Sequence, residues 1–172
     1  MKNLFSPTML RRYLSCKYKI FNEINEEKLK LQRIELKKND KLRIEKGNIH
    51  EKEYFKELKK KFKKTLNLKD QKLTREEKIS KTVQGMKEGF EIIHGGWLKR
   101  DKWIGEFDFL IINKDQKSKF GNYSYEVIDT KHSNKPKSDH AIQLSTYTFM
   151  LEETQGVLPK KFIIILKNMV HE

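Results

Sequence analysis

The apolar run Phe162-Ile163-Ile164-Ile165-Leu166 constrains the fold of this chain more than any other segment. Five consecutive apolar residues are typical of a strand that is covered on both faces. A helix predicted over about 140–153 precedes this run, and a strand predicted over 122–130 precedes that helix. A strand–helix–strand order predicts parallel pairing of the two strands. The end of the chain therefore predicts a sheet with helices on both sides.

Capping signals and hydrophobic spacing predict the remaining elements. Ser6 followed by Pro7 predicts a helix start, and Thr74 with Glu77 fits a capping box. The Lys- and Glu-rich residues 25–46 are interpreted as a charged helix or a mobile connection. The predicted helices are 6–23, 49–65, 74–87 and 140–153, and the predicted strands are 90–98, 102–112, 122–130 and 161–167. The predicted fold class is α/β, with a mixed central sheet flanked by helices.

Length and charge favour a single domain with a polyanionic partner. The 172 residues are one domain's length and can bury a core. The chain has 38 Lys and Arg against 24 Asp and Glu, which gives a formal net charge of +14. Nucleic acid is the simplest partner for such a charge. A lysine-rich lineage with solvated helix faces is the open alternative.

Cysteine content and hydropathy exclude several classes of protein. Cys16 is the only cysteine, so this chain alone makes no internal disulfide and no four-cysteine cluster or zinc site. Aromatic and apolar neighbours at helical spacing predict that Cys16 is buried. The start of the sequence has no apolar run of signal-peptide length. No apolar run elsewhere reaches the roughly 18 residues that a membrane-spanning helix needs. We therefore expect a cytoplasmic protein without a membrane partner.

Carboxylates interrupt or follow two of the predicted strands. Asp108 lies within the strand 102–112, and Asp129 ends the strand 122–130, two residues before Lys131. Because residues i and i+2 of a strand point to the same face, Asp129 and Lys131 project side by side. Two carboxylates suit Mg²⁺ or Mn²⁺, and a lysine can orient a water or screen developing charge. Each motif alone is explained by a solvated face or by chance, but the combination favours a metal-dependent nuclease.

Polar side chains on two predicted helices extend this set. Glu51 falls in the middle of the apolar face of the helix 49–65, where it needs a partner such as a metal or a backbone amide. His50 lies at the edge of that face, and a half-buried structural histidine is its ordinary alternative. Gln143 and Tyr147 are four residues apart and share one helix face. The alternative for this pair is a polar rim on a packed helix.

Taken in order, these motifs resemble the RecB-like branch of the PD-(D/E)XK nuclease superfamily. The resemblance spans most of the chain, and its matching segments are Ser6 to Cys16, Gly47 to Glu51, Thr82 to Gly89, Gly105 to Leu110, Asp129 to Lys131 and Gln143 to Tyr147. It implies a single nuclease domain with a restriction-endonuclease-like αβββαβ core. Residues 1–46 would be a helical N-terminal extension and residues 47–172 the catalytic core, either alone or within a longer protein.

The resemblance also implies roles for individual residues. The metal ligands would be His50, Asp108, Asp129 and the carbonyl of Thr130, binding Mg²⁺ or Mn²⁺. The catalytic residues would be Asp108, Asp129, Lys131 and Glu51. The residues that help to hold DNA would be Gln143 and Tyr147. Many relatives carry an iron–sulfur cluster on four cysteines, which the single cysteine of this chain excludes.

The activity implied by the resemblance is that of a metal-dependent deoxyribonuclease. It would act on ends or single strands, in DNA repair, recombination or defence, with DNA or RNA as substrate and a helicase or other nucleic-acid-processing partner. The first alternative is a catalytically inactive nucleic-acid-binding module of the same fold. The second is a basic structural or interaction domain whose charge reflects lineage bias.

Overall fold

The fold combines helices and strands. A computed structural model describes residues 4–32, 34–167 and 170–171. Five helices lie within these residues: α1 (Pro7–Ser15), α2 (Lys17–Ile24), α3 (Lys38–Lys61), α4 (Arg75–Lys87) and α5 (Ser138–Gln155). The strands of the same residues are β1 (Thr65–Asn67), β2 (Ile92–His94), β3 (Trp97–Arg100), β4 (Trp103–Glu106), β5 (Phe109–Asn113), β6 (Ser124–Lys131), β7 (Phe162–Leu166) and β8 (Val170–His171). The α/β class predicted from the sequence is confirmed.

A mixed sheet of six strands, in the order β1-β2-β5-β6-β7-β8, forms the centre of the fold. Strand β1 pairs in parallel with β2, and β6 pairs in parallel with β7, whereas the other neighbours are antiparallel. The parallel pairing of β6 and β7 across α5 confirms the strand–helix–strand prediction. Strands β3 and β4 form a separate antiparallel hairpin.

Helices cover both faces of the sheet and bury two apolar clusters. Phe55 and Leu58 of α3 pack on one face against Phe109. Leu144 and Met150 of α5 belong to the cluster on the other face, which includes Val127 and Leu110 of the sheet. Fully burying a side chain of this size stabilises the fold by about 1.5–3 kcal/mol. No helix in the described part of the chain has the length and apolarity needed to cross a bilayer.

The N-terminal helix predicted over 6–23 is interrupted at Cys16. The Ser6 hydroxyl accepts a hydrogen bond from the backbone N–H of Met9, so the predicted start is confirmed. At Cys16 the backbone is extended, with φ −161° and ψ 108°, and a new helix begins at Lys17. The Cys16 side chain is exposed, so the prediction of a buried thiol was wrong. The break removes Cys16 from the helical spacing on which that prediction relied.

The bounds of α3 differ from the prediction at both ends. The helix begins at Lys38 and runs through Gly47, so part of the segment 25–46 is helical. It ends at Lys61 rather than near Thr65, because residues 65–67 form β1 and pair with β2. A three-residue strand is too short to show an alternating pattern in the sequence.

The predicted strands 90–98 and 102–112 are each divided in two. Gly95 breaks the first, with φ +65°, and a Cβ at this position would lie 2.5 Å from Cβ of Lys69. Such a conformation and such a contact require glycine. The second strand breaks at residues 107–108, where the chain leaves β4 and enters β5. Asp108 therefore lies at a bend just before β5 rather than inside a continuous strand.

Candidate functional site

Asp108 and Asp129 lie next to each other at one end of β5 and β6. The register pairs Phe109 with Ile128, so the next step of this antiparallel ladder places Asp108 opposite Asp129. Side chains alternate along a strand, and Leu110 and Val127 point to the α5 face. Asp129 therefore points to the α5 face, whereas Asp108 lies at the bend before β5 and its carboxylate reaches Thr130. The Asp129 side chain is 5% exposed, and Asp108 is half-buried.

Both carboxyl groups have raised pKa values. Burial raises the pKa of Asp129 to about 7, and the neighbouring Asp108 carboxylate contributes to this rise. Burial also raises the pKa of Asp108, against the opposing effect of the Lys131 ammonium. A pair of buried carboxylates favours any bound cation that neutralises part of its charge.

Thr130 and Lys131 hold these carboxylates in place. The backbone N–H and the hydroxyl of Thr130 each donate a hydrogen bond of 2.8 Å to Oδ2 of Asp108. Nζ of Lys131 forms an ion pair with Oδ2 of Asp129. The predicted metal ligand at Thr130 was its carbonyl, whereas the contacts described here use its two donors. These two donors fix Oδ2 of Asp108 beside Asp129.

Glu51 reaches the same end of the sheet from α3. Its Oε1 atom lies 2.8 Å from Nε2 of His94 and 3.4 Å from Nζ of Lys69. Burial opposes ionisation of Glu51, but the contacts with His94 and Lys69 lower its pKa overall. The Glu51 carboxylate also acts on Asp108, whose pKa it helps to raise. The buried acid expected from the sequence thus has an imidazole and an ammonium as partners.

Lys69 and His94 are members of this cluster that the sequence did not reveal. Nζ of Lys69 contacts Oε1 of Glu106 at 3.1 Å as well as Glu51. Burial favours the neutral amine, but the Glu51 and Glu106 carboxylates raise the pKa of Lys69. Nδ1 of His94 lies 3.0 Å from Oδ1 of Asn67. A histidine at the end of the apolar strand β2 was a weak sign of a functional role. Lys69 gave no such sign, because it is one lysine among many.

His50 contacts the strand that pairs with β6. Its Nε2 atom is 3.4 Å from the carbonyl oxygen of Ile165, and its ring is 6.0 Å from that of His132. Consecutive helix residues are rotated by about 100°, so His50 and Glu51 face different surroundings. His50 lines a small cleft with His132 and Glu53, whereas Glu51 lines a different one. The proposed role of His50 as a metal ligand stays a prediction.

Gln143 and Tyr147 of α5 line the wall above the sheet. The hydroxyl of Tyr147 donates a hydrogen bond to the carbonyl oxygen of Glu106. Burial raises the pKa of Tyr147, and the Asp129 and Asp108 carboxylates add to this rise. Oε1 of Gln143 is buried and has no hydrogen-bond partner among the described residues. Tyr147 therefore lies beside the carboxylates and Gln143 contacts Tyr147, whereas the role of this pair in holding DNA stays a prediction.

The donor set at this end of the sheet fits a hard divalent cation. Within residues 4–32 and 34–167, no three side chains of His, Cys, Asp or Glu lie close enough together to bind one metal ion. Mg²⁺ commonly needs only one or two carboxylates, because waters and substrate phosphates complete its shell. Asp108 and Asp129 provide two such carboxylates, and Lys131 is the cation that already contacts Asp129.

The structure brings together most of the residues predicted for the site. Asp108, Asp129 and Lys131 form its centre, with Glu51 on one side and Tyr147 on the other. No protein-family model matches this chain, and no curated protein gives a significant match. The function must therefore be inferred from the arrangement of these side chains.

Proposed function

We propose that this chain is a metal-dependent nuclease that hydrolyses phosphodiester bonds in DNA. The observation that carries the proposal is that Asp108 binds Thr130, the residue next to Asp129, while Lys131 contacts Asp129. Two neighbouring carboxylates and one amine at the end of adjacent strands match the needs of phosphodiester hydrolysis. The large positive charge of the chain suits a polyanionic substrate.

The order of elements supports a restriction-endonuclease-like core of the RecB-like branch. Helix α3, strands β2, β5 and β6, helix α5 and strand β7 follow the order αβββαβ along the chain. Strand β5 pairs antiparallel with both β2 and β6. Strand β7 then pairs in parallel with β6. Strand β1, helix α4 and the β3–β4 hairpin are additions within this order. We also propose action in the cytoplasm, in DNA repair, recombination or defence.

Each residue of the cluster has a defined task in this proposal. Asp108 and Asp129 would hold Mg²⁺ or Mn²⁺, which polarises a phosphoryl oxygen and makes bound water more acidic. Thr130 orients Asp108 by its two hydrogen bonds. Lys131, which contacts Asp129, would donate to the oxygens on which negative charge develops.

A cleavage assay tests the proposal directly. Labelled single-stranded and double-stranded DNA are incubated with the protein in Mg²⁺, Mn²⁺ or EDTA. We expect cleavage with either metal and none in EDTA. Lys131→Ala and Asp108→Asn should each lower the rate by about 100-fold or more, as losses of charge-stabilising groups do. Lys160→Ala is the matched control, because Lys160 is exposed and lies outside the cluster.

Circular dichroism melts of each variant separate lost chemistry from lost folding. Tight, salt-sensitive DNA binding without cleavage by the wild-type protein would favour the inactive nucleic-acid-binding module. Absence of both binding and cleavage would favour the basic structural domain. Cleavage that persists in folded Lys131→Ala and Asp108→Asn proteins would refute the site.

A further inference from the structure

A cleft of about 520 Å³ lies between α3 and the segment that follows β1. One wall carries Lys52, Lys56 and Lys59, which follow each other at intervals of four and three residues and so share one face of α3. Asn67 and Lys69 belong to the segment opposite. The helix rise of 1.5 Å per residue spreads the three lysines over about 10 Å. The wall is thus a row of ammonium groups rather than a single charge.

The lysines of this wall are not neutralised by neighbouring carboxylates. In the described part of the chain, Lys52 and Lys56 have no ion-pair partner, and Nζ of Lys59 lies 4.8 Å from the centre of the Phe55 ring. All three side chains are exposed. Other lysines of α3 do pair, since Nζ of Lys60 contacts Glu57. Unpaired ammonium groups in a concave surface attract an anion that carries several charges.

The inner end of the cleft is the edge of the carboxylate cluster. Glu51 and His94 line the cleft and contact each other at 2.8 Å. Lys69 also lines the cleft and acts electrostatically on Asp108. A strand bound along the row of lysines would therefore reach Glu51 and Lys69, which both interact with Asp108 beyond the cleft.

We propose that this cleft binds a single-stranded segment of DNA by its phosphates and guides it to the carboxylate cluster. This inference rests on the proposed nuclease function and specifies the form of its substrate. The single row of lysines, about 10 Å long, matches the phosphates of one strand better than the two backbones of a duplex. Lys52, Lys56 and Lys59 each contact one phosphate.

Fluorescence anisotropy of a labelled 12-nucleotide single strand tests the inference. Binding is measured in EDTA, so that cleavage does not interfere, over a range of salt concentrations. The triple variant Lys52→Ala, Lys56→Ala, Lys59→Ala should bind at least tenfold more weakly at 100 mM salt. Each lost phosphate contact lowers the salt slope by about 0.7 for a single strand, so the slope should fall by about 2.

A control variant with the same change in net charge makes this result specific. Lys99, Lys117 and Lys160 are exposed lysines outside the cleft, and their triple alanine variant also lowers the net charge by three. It should keep wild-type affinity within about twofold. An equal loss of affinity in both triple variants, or none in the cleft variant, would overturn the inference. Equal binding of a 12-base-pair duplex, with the same dependence on the cleft lysines, would overturn its single-strand part.

Failure of this inference is distinguishable from failure of the proposed function. If the cleft variant still cleaves DNA with unchanged KM, the nuclease proposal stands and the cleft assignment falls. If the wild-type protein binds the single strand through these lysines but cleaves nothing in Mn²⁺, the cleft assignment stands and the nuclease proposal falls.

Discussion

At the scale of single residues, Asp129 links the stability of the fold to its proposed chemistry. Its folded-state pKa of about 7 lies above the ordinary value of 3.8, because it is buried beside Asp108. The folded state therefore binds a proton more tightly than the unfolded chain. The stability that this proton contributes is complete below pH 4 and is lost as the pH rises through 7.

The variant Asp129→Asn should be more stable than the wild type at pH 8. An amide removes the like-charge repulsion with Asp108 and keeps nearly the same shape. We expect a gain of the order of 1–3 kcal/mol at pH 8 and a smaller difference at pH 4, where the wild-type carboxyl is protonated. Thermal melts at both pH values, in EDTA, measure this difference.

Asp115→Asn is the control for this measurement, because Asp115 is an exposed turn residue. Its melting temperature should follow the wild type at every pH. A loss of stability in Asp129→Asn of equal size at pH 4 and pH 8 would contradict the assignment of the raised pKa to Asp129.

At the scale of elements, the contact between α1, β4 and α5 builds the wall beside the site. Helix α1 packs on α5, and the backbone of β4 passes between Pro7 and Tyr147. A Cβ at Gly105 would lie 2.8 Å from Cδ of Pro7 and 2.9 Å from Cε1 of Tyr147. Only a residue without a side chain lets the Tyr147 hydroxyl reach the carbonyl of Glu106.

The variant Gly105→Ala should destabilise the protein by about 1–3 kcal/mol, the usual cost of overpacking. Gly47→Ala is a control of opposite sign, because Gly47 lies within α3 and nothing is within 4 Å of the added Cβ. Alanine in a helix interior is favoured over glycine by about 0.5–1 kcal/mol. Urea denaturation of both variants measures the two effects. Similar changes in the two variants would contradict the close packing at Gly105.

Elements that are specified by a few residues close together in the sequence were predicted correctly. The Thr74 capping box is present, since its hydroxyl accepts from the N–H of Glu77 and the Glu77 carboxylate accepts from the N–H of Thr74. The continuous apolar run 162–166 forms a strand of the sheet. Each of these signals is contained within a few residues and does not depend on distant parts of the chain.

Features that depend on distant contacts were not predictable from the sequence. The division of the strand 90–98 depends on how closely Gly95 approaches Lys69, and β1 exists because it pairs with β2. For the site, strand periodicity was enough to place Asp129 and Lys131 on one face. The partners of Glu51 come from residues 69 and 94, which no local pattern connects to it.

At the scale of the whole molecule, a strongly basic chain contains a small cluster of carboxylates. The net charge of +14 contrasts with the acidic centre formed by Asp108, Asp129 and Glu51. Such a distribution attracts polyanions at the surface and divalent cations at the centre. Cation binding to the folded state alone must raise the stability of the whole fold.

Adding Mn²⁺ should therefore raise the melting temperature of the wild-type protein. A metal concentration ten times the Kd stabilises the folded state by about 1.4 kcal/mol, which corresponds to a rise of roughly 3–6 °C for a chain of this size. Differential scanning calorimetry with Mn²⁺ and then excess EDTA measures the rise and its reversal. The double variant Asp108→Asn, Asp129→Asn should show neither, whereas Asp115→Asn should behave as the wild type. An undiminished rise in the double variant would place the ion elsewhere.

The exposed thiol at the junction of α1 and α2 gives the molecule a natural attachment point. Cys16 is the only cysteine of the chain and is open to solvent. A maleimide dye should therefore react at one position and yield a uniformly labelled protein without any substitution. The same exposure allows two molecules to cross-link through an intermolecular disulfide in air, so preparations of this protein need a reducing agent.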